Sequence, residues 1–408
     1  MKVLHLCTLL LAVCNIQLTA NDNNVSLDAY ISQLKKEQFS YDYQKNEVQG
    51  LLLRDSWIAP LNLNYSHSTS NPYDAEQVSQ VAAIRMDQPI FQSGGIYYGI
   101  KYANASREYS DLAVDVAKRK MIKDAISLLM QIKQSDIRAK RQNLQIKNSE
   151  INLEQKKEQY LNGQLDSGFL DSAIIERNTV IQALYDIETS KEKLIASFKA
   201  ISDLTYENAA IPRLELLNEE EFMEHNIALK MAESQNAKDN YNTNVTVAKY
   251  LPKVSVTAAY NWSKSENSRF NADMSSFSEE KDYYDYGMKV TMPLSINTFR
   301  DIESARVDYL KSQLKIEDEK RSLTSIFAQV LQNIKKLDKK IALSVQNKDL
   351  YEKLLEDTRS LFRAGYKTEY DVETLENSVQ IQEFDSKIFE LDRQLELLTL
   401  YEKYANEL

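Results

Sequence analysis

The sequence predicts a mainly α-helical chain with a small β part, built as two copies of the same order of elements. Three observations predict it. Glycine is scarce, at 8 in 408 residues, about 2% against a usual ~7%. Proline stands only at positions 60, 72, 89, 212, 252 and 293. Residues 90–211 and 294–408 therefore run without it and are rich in Leu, Ile, Lys, Glu and Gln, the composition of long helices. The prolines also correspond: Pro60 and Pro252 each open a segment of alternating side chains, and Pro89 and Pro293 each close one.

In chain order, Lys2, the apolar run Val3 to Val13 and the small residues Thr19 and Ala20 resemble a secretory signal. Residues 1–20 are set aside as that leader. Cys7 and Cys14 both lie inside it, so the mature chain is expected to carry no disulfide framework and no thiolate metal site. The run Leu11-Ala12-Val13-Cys14 resembles a lipoprotein processing site, except that Val13 replaces the usual small residue, so lipidation at Cys14 stays open.

The first repeat is expected over residues 21–211 and the second over 212–408. Ser26-Leu27-Asp28-Ala29 reads as a helix start, with the helix running to about Arg54; its counterpart runs from about Glu219 to Ala248. Next, Pro60 to Ser66 and Pro252 to Ser263 alternate with period two, as do Ala82 to Asp87 and Tyr284 to Met292 on the way back. The stretches between them, Ser66 to Val78 and Lys264 to Lys281, are rich in Ser, Asn, Asp and Glu and read as surface loops. A very long helix follows each strand pair. Its stripes are Ile122, Ile126 and Leu129 with Ile137, Leu144 and Ile151 in the first half, and Leu323, Ile326, Val330, Ile334, Leu337 and Ile341 in the second. At ~1.5 Å per residue, roughly 65 to 70 helical residues make a rod on the order of 100 Å long. A short turn and a shorter returning helix end each half. The linker from about Ile201 to Glu221 is expected near the middle of the rods.

Each strand has about the 9 to 11 residues that cross a bilayer at a tilt. No stretch outside the leader approaches the ~20 apolar residues of a spanning helix, so contact with a bilayer falls to the strands. Tyr65, Tyr260, Trp262, Tyr284 and Tyr286 are placed near the outer strand ends, and Trp57 and Tyr250 near the inner ones, as interfacial girdles. The same alternation suits a soluble sheet with one wet face. Four strands in lipid, however, would leave two edges unpaired at several kcal/mol per backbone group, so the barrel must be shared. Two copies give a barrel that its own side chains fill; three give twelve strands and an open pore.

The formal net charge of -10, which becomes -11 when Lys2 leaves with the leader, argues against nucleic acid as a partner and suggests weak cation preference in a pore. Enzyme chemistry finds little support. Outside the leader only His67 and His225 remain, and no phosphate loop, catalytic triad or metal-ligand cluster can be assembled. Gly94-Gly95 followed by Gly99 opens a long helix and lacks the dinucleotide spacing. No cofactor is expected.

Tyr250-Leu-Pro252-Lys-Val-Ser-Val256 at the strand start, and the turn Gly365-Tyr-Lys-Thr368-Glu-Tyr-Asp371-Val372, in the right order within a duplicated chain, resemble the TolC-like outer-membrane efflux and secretion channel family from about Val25 onward. The resemblance implies four transmembrane strands per protomer, a trimeric 12-stranded barrel and an α-helical tunnel reaching into the periplasm of a Gram-negative bacterium. It also implies outer-membrane lipid around the barrel, and a periplasmic adaptor and an inner-membrane pump as partners, in either efflux or type I secretion. The tip residues Gly163, Ser167, Gly365 and Thr368 would dock the adaptor, although Gly and a capping residue also serve the turn itself. Asp371 would form an acidic ring in the pore constriction, with Thr374 where relatives often carry a second acid. Arg363, Lys367 and Phe362 would help hold the pore shut. The first turn, Gly163 to Asp171, is read as two residues longer than the second, which aligns Asp171 with Asp371. A soluble periplasmic coiled-coil scaffold or adaptor is the alternative, and duplication of strands and hairpins argues against it.

Overall fold

The computed structural model describes residues 27–71, 76–267 and 277–404. The expected leader with Cys7 and Cys14, and the central parts of both strand-connecting loops, lie outside the described residues. In the first half, α1 spans Gln33–Arg54, β1 Asn62–Ser70, β2 Gln77–Phe91, α2 Gly95–Leu161 and α3 Ser167–Lys199. The second half repeats this order with α4 (Glu219–Glu224), α5 (Ile227–Lys249), β3 (Lys253–Asn267), β4 (Phe277–Thr291), α6 (Thr298–Arg363) and α7 (Glu369–Tyr401).

With 67 residues in α2 and 66 in α6, each long helix extends about 100 Å at ~1.5 Å per residue. Along the strand-proximal half, α2 packs between α1 and α5, and α5 packs on α6; along the distal half, α2 packs between α3 and α7, and α7 packs on α6. The strands form one antiparallel sheet in the order β1-β2-β3-β4. Helices and strands are thus laid side by side in the same sequence, one layer thick. Small residues let the strand-proximal helices approach closely: Ala103, Ala105, Ala232, Ala248 and Ala305 are all buried.

The main hydrophobic core lies at mid-length. Ile122, Ile126 and Leu129 of α2 meet Leu323, Val330 and Ile334 of α6, Leu397 and Leu400 of α7, Phe198 of α3 and Phe222 of α4. The linker closes this core from outside. Leu214 is buried, and the Gln394 side-chain amide holds its main chain from both sides, accepting from the Leu214 N–H at 2.8 Å and donating to its carbonyl at 3.3 Å. Tyr30 donates to the Ala210 carbonyl at 2.8 Å and Tyr401 to that of Glu215 at 3.1 Å.

Several boundaries differ from the expectation. The first helix starts at Gln33, not near Ser26, because Ser32 caps it and Leu27–Tyr30 form a separate 3-10 turn. The helix expected over 219–248 breaks at His225 and Asn226, where the Asn226 side-chain Oδ1 takes the Ala228 and Leu229 N–H groups and restarts the helix as α5. The strands are longer than a bilayer requires: β2, β3 and β4 have 15 residues each. Part of what reads as loop is therefore ladder, since alternate small polar residues pair as readily as apolar ones once a neighbouring strand is present. Pro89 lies within β2, where the register shifts between it and Phe91, the irregularity expected where a residue has no N–H to donate.

Candidate functional site

The sheet separates two chemistries by pleat alone. Register places Leu63 and Tyr65 of β1 beside Ile84 and Ala82 of β2, these beside Tyr260 and Trp262 of β3, and Tyr260 beside Tyr284 of β4. Val254, Val256, Met288, Val290 and Tyr286 share that face. Their exposure is high: Tyr284 75%, Tyr286 80%, Met288 72% and Val290 68%. The opposite face carries Asn62, Asn64, Arg85, Asp87, Ser255, Thr257, Asn261 and Asp285. A contiguous apolar surface of this kind is a poor fit to water. It matches the alternation of a strand with lipid on one side and a polar interior on the other.

The aromatic side chains stand at the outer limit of the apolar band, although several ladder residues continue beyond them. Tyr260 donates to Asp282 at 3.0 Å and Trp262 to Glu280 at 2.7 Å, so ring bodies face the apolar band and their polar tips face a row of carboxylates. That is the arrangement for an interfacial ring. Trp57 is half-buried beside the β1–β2 base, its carbonyl accepting from Gln88 at 3.2 Å. Tyr250 departs from the expected girdle. It is 9% exposed and hydrogen-bonds to Asp301, so it ties α5 to α6 at the helix–sheet junction.

At the far end the two turns are built alike. Gly163 (φ 69°) and Gly365 (φ 81°) adopt the left-handed conformation after α2 and α6. In each, the glycine N–H and the next N–H return to the helix: Gly163 to Tyr160 and Gln164 to Gln159, Gly365 to Phe362 and Tyr366 to Leu361, all at 2.8 to 2.9 Å. This is the paired termination that glycine permits. Three residues later Asp166 caps α3, accepting from the Gly168 N–H at 2.8 Å, and Thr368 caps α7.

The turns are therefore equal in length, and the expected two-residue excess in the first is corrected. The glycines and caps superpose Asp166 on Thr368, which sets Asp171 opposite Glu373 and Asp371 opposite Phe169. Ser167 is the first helical residue and not the cap. Asp371 has a defined local role: its carboxylate accepts from the Thr368 N–H and hydroxyl at 3.0 Å each, while the Thr368 hydroxyl accepts from the Asp371 N–H. The Thr368 backbone bond, opposed by burial, holds the Asp371 carboxyl below its usual pKa. Arg363, Lys367 and Asp171 are exposed, and Phe362 is 43% exposed. Near the tip, Arg359 of α6 pairs with Glu376 of α7 at 2.6 Å. Sequence reading missed one feature here: Tyr160, Leu161, Phe169, Leu361 and Tyr366 also leave large apolar surface exposed at the tip. Their clustering within six residues of the turn glycines was the available signal.

Residues 220–402 match the family model for outer membrane efflux proteins. Solved structures extend the likeness to nearly the whole length of the chain. The Campylobacter jejuni CmeC outer membrane channel shares 11% identity at a TM-score of 0.71, over 93% of this chain and 85% of that one. VceC, an outer membrane protein of Vibrio cholerae, shares 15% identity at 0.68, over 93% and 95%. The open state of the Neisseria gonorrhoeae MtrE outer membrane channel shares 13% at 0.63, over 92% and 87%. No curated protein matches the sequence. The family match falls on the second half of the chain, while the fold likeness covers both halves. At these identities the likeness is one of fold.

Proposed function

We propose that three copies of this chain form the exit duct of an export machine, a 12-stranded barrel in the outer membrane continued by a helical tunnel through the periplasm. One observation carries the reading. The described sheet has four strands, one exposed apolar face and two unpaired edges, β1 and β4. In lipid those edges must be paired, at several kcal/mol for each backbone group left without a partner. Neighbouring copies placing β4 beside β1 supply the partners and close the ring, and three copies give a barrel wide enough to conduct. The one-layer order of the helices extends the same ring downward. Residues 21–211 and 212–408 act as the two repeats of each protomer.

The duct is passive and not an enzyme; its partners are a periplasmic adaptor at the tip and, through it, an inner-membrane pump. The tip glycines Gly163 and Gly365, with Ser167, Thr368 and the exposed apolar side chains around them, form the docking surface. Asp371, Lys367, Arg363, Phe362 and Asp171 shape the constriction from three sides of the threefold axis. Light scattering of the detergent-purified protein, followed by planar-bilayer conductance, tests this. A trimer with small steady conductance that rises in an Asp371→Ala/Lys367→Ala variant supports the gated duct. Release into the soluble fraction without detergent, as a monomer with no bilayer activity, overturns it.

A further inference from the structure

The polar face of the sheet carries an arrangement that the tip does not explain. Over three successive levels, about 13 Å along the strands at ~3.3 Å per residue, register lines up Arg85, Ala259 and Asp285, then Asp87, Thr257 and Gly287, then Pro89, Ser255 and Lys289. Within this stretch the charged side chains are two cations and two carboxylates. Arg85 donates to the Asn261 side-chain Oδ1 at 3.3 Å, and the Asn261 side-chain NH2 donates to Asp285 at 2.9 Å. Asn261 is 4% exposed, covered by the side chains it links. Lys289 reaches Asp87 at 3.9 Å across the level of Thr257. Gly287 gives it room, because the position opposite Thr257 has no side chain to stand in the way.

We propose that Arg85, Asp87, Asp285 and Lys289 form a charge-compensated belt inside the barrel, which lets solutes of either sign pass and shields them from the acidity of the rest of the chain. The assignment rests on the duct reading, since only closure of the sheet makes this face a lumen. The pairs are exposed, with Lys289 and Asp87 side chains 58% and 51% accessible, and exposed pairs add little stability. What they do supply is a local field: charged side chains ringing a pore set its ion preference. In three copies the belt holds equal numbers of each sign, and at its levels the β1 ladder adds only the neutral Asn62, opposite Arg85. The formal charge of -10 would otherwise suggest a cation-selective barrel. Removing one sign leaves an uncompensated ring.

The test reads the lumen potential directly. Thr257 lies mid-belt, and Cys7 and Cys14 are the chain's only cysteines, so Thr257→Cys in a background with both replaced by Ala gives one reporter thiol. The full-length protein in lipid vesicles is treated with an anionic and a cationic methanethiosulfonate, and the ratio of their rates is compared with that of a free thiol. The parent reporter should lie within about threefold of the free thiol, as a balanced belt requires. Adding Asp87→Asn and Asp285→Asn should shift the ratio toward the anionic reagent on the order of tenfold, and Arg85→Gln with Lys289→Gln should shift it as far the other way. The exchange Asp87→Lys/Lys289→Asp, which keeps the pair, should restore the parent ratio and guards against a folding artefact. Ratios unmoved by both neutralised pairs overturn the belt. Ala258→Cys, one residue along on the apolar face, separates the two ideas. If Ala258→Cys labels as fast as Thr257→Cys, the barrel itself is wrong; if only Thr257→Cys labels and its ratio never moves, the barrel stands and the belt falls.

Discussion

Thr368 and Asp371 show how two side chains complete a helix start by satisfying each other. Their reciprocal hydrogen bonds form a complete capping box at the start of α7. A cap of this type contributes about 1 kcal/mol. Thr368→Ala should therefore raise amide exchange in the first turn of α7 by roughly fivefold, while leaving α3, capped separately by Asp166, unchanged. The hydrogen bond from the Thr368 backbone depresses the Asp371 pKa. A depressed carboxylate contributes stability above its unfolded pKa and loses it as pH falls through the folded value. Exchange protection at the α7 start should be flat from neutral pH down to about pH 4 and decline below that, and Asp371→Asn should abolish the decline. At the two glycines, L side chains are strained at positive φ by about 1 to 2 kcal/mol. These residues were legible in the sequence as turn formers. Their pairing was not, because two residues of apparent excess concealed the common spacing from glycine to cap.

Between the halves, α2 and α7 meet through a ladder of polar contacts. Gln134 donates to Asp392 at 2.6 Å, Arg141 pairs with Asp385 at 2.8 Å, and Asn377 donates to Asn148 at 2.8 Å. The α2 members recur every seven residues, the interval of a coiled-coil seam. Burial raises the Asp385 pKa, opposed by Arg141, so this carboxylate's contribution has the opposite sign to that of Asp371 and stability is gained as pH falls through its folded value. Buried Asn pairs fix register at some cost in stability. Asn148→Leu alone strands the Asn377 amide and should destabilise by about 1 to 3 kcal/mol. Asn148→Leu/Asn377→Leu should recover that loss in thermal denaturation, yet permit cysteine cross-links one helical turn out of register that the parent refuses. Periodicity revealed the apolar stripes on these helices. The polar rungs were invisible because their partners lie more than 200 residues away in the chain.

For the whole molecule, the solvent on each face of the sheet decides which substitutions are tolerated. A lysine on the lipid side near the bilayer middle costs about 2 to 4 kcal/mol. Met288→Lys should lower the denaturant midpoint of the vesicle-folded protein accordingly, while Thr257→Lys, on the polar side, should leave it nearly unchanged. Equal losses at both positions would mean that the two faces see the same medium. The mid-length core is the other global feature. It gathers residues from both halves and the linker, which is why the fold of 200–218 could not be read from its own irregular sequence.

Alternation, helix length, the doubled order and the glycine turns were determined by the sequence alone, because each follows from local periodicity or from a residue that only one backbone conformation suits. Tertiary structure decided what depends on distant partners. It extended the strands into polar segments, moved Tyr250 from the girdle to the α5–α6 junction, aligned Asp371 with Phe169, and brought Arg85, Asp87, Asp285 and Lys289 onto one belt. The physical reason is common to all four. Hydrogen-bond ladders and burial are pairwise, so a residue's final role depends on the neighbour that folding places beside it.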